Sequence, residues 1–294
     1  MIKKSLKLTF AALLVTGALA ACGQTTDNKN TATQTPKQEI SGTITAAGST
    51  ALQPLAEEAA TAFMATNPKV SITIQGGGSG TGINQVASGA VQIGNSDIPS
   101  ASKLDPDKAK ELTDTKVAGI AFAMVVNKDV DVTNLTKQQI QDIFSGKITN
   151  WKDVGGKDAK INVINRPASS GTRATFEKTV LNGTKANDGI GTSQDANGSV
   201  ETAVNSTSGS ISYLAMSYLV GDKKGALKTL NIDGVAPTTE NIAADKYPFW
   251  SYEYMITKGA PTDANKAFID YIAGKDFEKK VEDMGYIPMT KLKK

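Results

Sequence analysis

The sequence predicts an α/β fold of two lobes, and three features carry that expectation. Two strand–loop–helix units follow one another in the first third of the chain, each with a Gly- or Ser/Thr-rich loop at the strand end. Residues 117–127 are nearly all apolar and too long for an edge strand, so they read as a central strand that also carries the chain into a second lobe. An aromatic-rich stretch at residues 249–256 reads as the return crossing.

Ahead of the fold, Lys3, Lys4 and Lys7 make a charged start and residues 8–18 an apolar core. Leu19-Ala20-Ala21-Cys22-Gly23 then resembles the lipobox at which bacterial lipoproteins are cleaved and acylated. The single Cys sits at that junction, so residues 1–21 are a predicted signal peptide and Cys22 the predicted lipidation site. Of 32 basic and 29 acidic side chains, three Lys and no acid leave with residues 1–21, and the rest balances at 29 of each. A general nucleic-acid function therefore loses its electrostatic support. Without a second Cys there is no disulfide, and the absence of His excludes Ser-His and Cys-His catalysis and any His-ligated metal. Residues 22–40 are polar and read as a flexible tether spanning on the order of 25 Å.

Folded sequence starts near Ser41, with a first strand at residues 42–46 and the loop Ala47-Gly48-Ser49-Thr50 after it. Leu52, Leu55, Ala56, Ala59, Ala60 and Phe63 then fall on one helical face. Pro54 belongs in the first turn of that helix, which sets its start at Thr50 or Ala51, and Asn67-Pro68 ends it. Residues 70–75 form a second strand, followed by Gly76-Gly77-Gly78-Ser79-Gly80-Thr81-Gly82 and a helix from Ile83 to about Ser88. A short strand around residues 91–94 leads to Asn95-Ser96-Asp97, and residues 105–113 read as a polar helix with a solvated face. The second lobe opens with Thr136-Lys137-Gln138-Gln139, a capping-box pattern ahead of Ile140, Ile143 and Phe144. Residues 161–165 are a β-branched, buried strand; residues 187–198 read as a surface loop; Val200, Ala203 and Val204 suggest a short helix; residues 208–214 turn into another strand. Ala264, Ala267, Phe268, Tyr271 and Ile272 mark an amphipathic helix that packs back on the first lobe.

The chemistry concentrates in Arg166-Pro167-Ala168-Ser169-Ser170-Gly171-Thr172-Arg173, which holds the only two Arg residues of the chain. Arg is needed where a planar fork must grip an oxyanion through two bonds. The loop joins a strand end to a helix start, where free N–H groups and the helix dipole attract anions. Ser170 and Thr172 add hydroxyls and Gly171 a close backbone approach. A Ser/Thr cap with a surface Arg is the plain alternative. The arrangement recurs upstream at Ser49/Thr50 and at Ser79, and one acid, Asp97, follows a short strand. Residues 76–82 fit neither a dinucleotide fingerprint, nor a Walker loop, nor a nucleophile elbow; a hairpin or linker is their plain alternative. Many donors with one acceptor suit a tetrahedral oxyanion that carries a proton, as phosphate does at neutral pH and sulfate does not. A cap or turn role is the plain alternative for Asp97.

With these segments, and with residues 135–151 and 208–214, the sequence resembles the phosphate-binding lipoproteins of bacterial phosphate ABC transporters, a periplasmic-type substrate-binding protein family. The resemblance implies a type II-like, two-lobe periplasmic binding protein with its ligand cleft between lobes joined by a two-strand hinge. The expected boundaries are 41–122 for the first lobe, 123–248 for the second and 249–294 for the return to the first. Carried over position by position, phosphate contacts fall on Thr50, the backbone of Ala51, Ser79, Asp97, Arg166, Ser170, Gly171 and Thr172. Family members often carry an acid two places after the Arg; here that place is Ala168, which leaves the orientation of Arg166 open. The resemblance further implies capture of inorganic phosphate outside the membrane, delivery to permease and ATPase subunits, a lipid anchor on Cys22, no cofactor and no enzymatic step. A binding protein for sulfate or molybdate, or an enzyme acting on phosphoesters, are the other readings.

Overall fold

The computed structural model describes residues 39–292. The predicted signal peptide, Cys22 and nearly all of the tether lie outside the described residues. In the first unit, Gly42–Gly48 (β1) and Val70–Gly77 (β2) pair in parallel and are joined by Gln53–Thr66 (α1). The helix starts later than Thr50 because Ser49 Oγ accepts the amides of Ala51 and Leu52, closing a turn before the first helical residue. Pro54 keeps its place in the first turn. Ser79–Ser88 (α2) starts earlier than Ile83 even though Gly is a poor helix former. A Cβ at Gly82 would collide with the carbonyl oxygen of Ala47, so this Gly lets α2 seat directly on β1. Ile93–Ser96 (β3) then pairs in parallel with β1.

The expectation of a polar helix over residues 105–113 is corrected to one turn, Pro106–Ala109 (α3), with no buried residue to hold it. Leu112 already begins Leu112–Val126 (β4), because residues 112–115 find partners in a later strand. After β4 come Asn134–Leu135 (β5) and Lys137–Ser145 (α4), whose Thr136–Gln139 capping box is fully formed. Next are Asn162–Asn165 (β6), Gly171–Thr179 (α5), Thr192–Ser193 (β7), Asn197–Ser206 (α6) and Ser210–Ala215 (β8). Lys228–Ile232 (β9), Thr239–Ala243 (α7), Trp250–Lys258 (β10), Asp263–Ile272 (α8), Glu278–Asp283 (α9) and Tyr286–Ile287 (β11) complete the described chain.

The strands run β2-β1-β3-β10-β4-β8-β6-β7, so β4 lies at the centre of a two-lobe α/β architecture. Its residues 112–121 pair with β10, and from Phe122 onward it pairs with β8 instead. Phe122 and Phe249 meet at that handover, their rings 5.2 Å apart and joined by a backbone bond from Phe122 N to Phe249 O. Phe176 of α5 packs on Phe144 and Tyr213, with Tyr213 stacked on it at 4.2 Å. At the other end Phe63 of α1 packs on Phe268 and Tyr271 of α8. Such pairs are each worth about 0.5–1.5 kcal/mol beyond their buried area, which ties the late helix to the first unit.

Candidate functional site

Four strand ends converge on one buried spot. Ser49, Thr50 and Ala51 leave β1, Ser79 opens α2, Asp97 follows β3, and Arg166 to Thr172 run from β6 into α5. Ser49, Ser79, Asp97, Arg166, Ser170 and Thr172 are each no more than 1% exposed, and Thr50 is 5% exposed. Gly171 permits the convergence: a Cβ there would stand 2.7 Å from the Ser79 Cβ and 3.0 Å from that of Asp97. Any side chain would push α5 away from α2 and β3.

Asp97 is the hub. The Ser49 hydroxyl donates to its Oδ1 through a short bond, Thr172 Oγ1 donates to Oδ2 at 2.9 Å, and its own amide donates to Ser79 Oγ at 2.9 Å. Burial pushes the Asp97 carboxyl up, while the Ser49 and Thr172 hydroxyls and the Arg166 guanidinium pull against it. Thr172 therefore spends its hydroxyl on Asp97, and what it offers an anion is its helix-start amide. A hydroxyl has one proton and two lone pairs. Asn197 donates to Thr50 Oγ1 from its backbone at 3.2 Å and from Nδ2 at 2.9 Å, which fills both lone pairs and leaves the Thr50 proton free to donate. Ser79 Oγ accepts one bond, from the Asp97 amide, and its proton remains available to donate. Ser170 caps α5 by accepting the Arg173 amide at 3.1 Å.

Arg166 supplies the charge. Tyr213, held in the aromatic core, donates to Asn165 Oδ1 at 3.0 Å, and the same oxygen accepts the Arg166 amide at 2.9 Å. The Arg166 side chain is anchored by a single bond, Nη2 to the carbonyl oxygen of Asp195 at 3.0 Å. Its Nε and Nη1 are buried with no partner among the described residues. Burial pulls the guanidinium below its usual range, with Tyr213 and Asp97 opposing. At the place of the missing acid, the Ala168 carbonyl accepts Lys103 Nζ at 2.8 Å, and the neighbouring Ser169 carbonyl accepts Gly80 N at 2.9 Å. Arg173 does not face the site. It holds Glu177, Asp188 and the carbonyl oxygens of Arg166 and Ala186.

A buried guanidinium with two unpartnered nitrogens, free hydroxyls, helix-start amides and one carboxylate together form a binding surface for a small oxyanion. The comparisons with known proteins give the family. The PBP superfamily domain model matches residues 33–276. The chain is 46% identical to the phosphate-binding protein PstS of Bacillus subtilis, over 99% of this chain and 95% of that protein. The chain belongs to the PBP superfamily, in the family of the PstS phosphate-binding proteins. It is 29% identical to the PstS of Borreliella burgdorferi, over 83% of this chain and 89% of that one. Among solved structures it resembles a phosphate ABC transporter substrate-binding protein of Clostridium perfringens with bound phosphate, at a TM-score of 0.76 and 30% identity, covering 84% of this chain and all of that one. A phosphate transport receptor of Vibrio cholerae follows at a TM-score of 0.66 and 29% identity, covering 83% and 99%.

Three groups of this family member, two buried and Tyr218 half-buried, escape sequence reading. Asn197, wholly buried, links Thr50 to the amide of Ala215, although residues 187–198 read as a surface loop. Tyr218 donates to the Thr50 carbonyl at 3.0 Å. Glu253 on β10 is wholly buried near Asp97. Asn and Gly in a run signal a turn by composition, and only the fold reveals which Asn faces inward.

Proposed function

We propose that the site binds inorganic phosphate through Thr50, Ser79, Asp97, Arg166, Ser170, Gly171 and Thr172, the expected Ala51 amide being given to Ser49 Oγ instead, and that the chain captures phosphate for an ABC importer. The observation that carries this reading is Arg166, buried with Nε and Nη1 unpartnered within reach of the Asp97 charge. An uncompensated guanidinium in a dry site is costly, and an oxyanion gripped by its fork removes that cost. Asp97 then accepts a hydrogen bond from the protonated phosphate oxygen, a donor that sulfate lacks. The change of strand partner at Phe122 supports lobes of residues 41–122 with 249–294 and of residues 123–248, closing over the anion. Capture takes place on the outer face of the cell membrane, with Cys22 lipidated, residues 1–21 removed and residues 22–40 as tether. Permease and ATPase subunits receive the phosphate, and no chemical step occurs on the protein. Calorimetry on protein stripped of phosphate tests the reading: one phosphate per chain should bind, and a large sulfate excess should not displace it. Failure to bind phosphate, or equal binding of sulfate, would contradict it.

A further inference from the structure

Among the described residues, the phosphate contacts leave one wholly buried carboxyl unused. Glu253 lies in the interior of β10, wholly buried; no N–H or hydroxyl among the described residues donates to either carboxyl oxygen, and the group within hydrogen-bonding reach is the Asp97 carboxyl. The antiparallel pairing of β10 with β3 sets Tyr254 against Ser96, and the next step of that register brings Glu253 to Asp97. Ser251, on the same face of β10, donates to the Asp97 carbonyl oxygen and pins the two segments together. The titratable groups that face Glu253 are Asp97, Tyr286 from β11 and its neighbour Tyr254; from β4 it meets Ala118. No cation among these offsets a second negative charge. Two adjacent carboxyls in a dry site cannot both ionise, so the pair holds one proton. Burial and the Asp97 charge push the Glu253 carboxyl well above its usual range, whereas Asp97 has two hydroxyls and Arg166 in its favour. The proton therefore sits on Glu253.

We propose that Glu253 is a positioning residue for anion selectivity, a neutral carboxyl behind Asp97 that keeps Asp97 ionised and acceptor-only. The proposal rests on the phosphate reading of the site. An Asp97 that took the proton itself would offer a donor, and sulfate could then be accommodated. Glu253 removes that outcome by carrying the proton on the side away from the anion.

The test uses the full chain, stripped of phosphate, as wild type, Glu253→Gln and Glu253→Leu. Phosphate affinity is measured with and without a large sulfate excess from about pH 5 to about pH 9. The Gln amide can still donate to Asp97, so Glu253→Gln should discriminate as wild type does. In Glu253→Leu the proton passes to Asp97 at the acid end, and sulfate should compete at least about tenfold better than in wild type. Equal discrimination by the Leu variant and wild type overturns the proposal, as does a Gln variant that behaves like the Leu variant. Should the Leu variant not fold, infrared spectroscopy decides. A protonated carboxyl band should be present in wild type at about pH 8 and missing in Glu253→Gln; its absence from wild type, or its survival in the variant, overturns the proposal. A wild type that binds no phosphate removes the underlying reading instead.

Discussion

Arg173 holds the carbonyl oxygen of Arg166 through Nη1 at 2.6 Å, so the only two arginines of the chain act in series. In the proposed site one grips the anion, and the other fixes the backbone from which it projects. The Arg173 guanidinium also closes an ion pair with Glu177 at 2.8 Å, both side chains being buried.

This division predicts opposite phenotypes for two similar substitutions. Arg166→Lys should lose about 2–5 kcal/mol of phosphate affinity, because a point charge cannot reproduce the fork. Its stability without ligand should be nearly unchanged. Arg173→Ala removes the buried bonds to Glu177 and to the Arg166 and Ala186 carbonyl oxygens, leaving Glu177 paired with Lys185 alone, and should cost on the order of 2 kcal/mol of folding stability. Calorimetry and denaturant unfolding on both variants separate the two roles; a destabilised Arg166→Lys with normal affinity would reverse them.

Asp97→Asn replaces the single acceptor with an amide that can donate. Sulfate should then gain on phosphate by on the order of 2 kcal/mol, the scale of a buried polar group losing or finding its partner. Competition binding reads this directly. A variant as selective as wild type would reduce Asp97 to a turn residue.

Gly171→Ala tests the convergence itself. The added methyl meets the Ser79 side chain, so α5 cannot approach α2 as it does here. Phosphate affinity should fall at least about tenfold, the effect of roughly 1–3 kcal/mol of overpacking. Scattering at saturating phosphate should show a larger radius of gyration than wild type. Unchanged affinity would mean that the lobes do not need this contact to close.

The Glu253 carboxyl also sets a pH dependence of stability in the ligand-free protein. Burial and Asp97 raise its value in the fold, whereas the unfolded chain releases the proton above about 4.5. Over the window between those two values the folded state binds more protons than the unfolded one. Stability therefore falls as pH climbs through it and is greatest below it. Asp97, also raised, adds in the same direction. Glu253→Gln should flatten this slope and raise the melting temperature at neutral pH; parallel melting profiles for the two proteins would contradict the assignment.

Arg166 and Asp97 were legible in sequence because their types are rare in their surroundings: two Arg among 30 Lys, and one acid among donor-rich loops. Gly171 was legible as a close approach, though not what it approaches, whereas Gly82 was one member of a Gly-rich run whose contact with Ala47 only the fold reveals. Asn197 was hidden by its Gly- and Asn-rich neighbours, whose composition describes turns and is silent on which side chain turns inward. Glu253 lies in an aromatic strand whose pattern indicates burial, but its neighbour Asp97 is 156 positions away, joined only by the register of β10 on β3. Lys103 likewise reaches Ala168 across 65 positions. Contacts of that range are fixed by topology, and local sequence carries no trace of them.

The central claim is that phosphate lies between Arg166 and Asp97, and a crystal structure of the chain with phosphate tests it most directly. The account predicts one tetrahedral anion with oxygens within hydrogen-bonding distance of Arg166 Nε and Nη1, the Gly171 and Thr172 amides and the Thr50 and Ser79 hydroxyls, and one oxygen against the Asp97 carboxylate. Phosphate bound elsewhere, with Arg166 Nε and Nη1 still unpartnered, would contradict it.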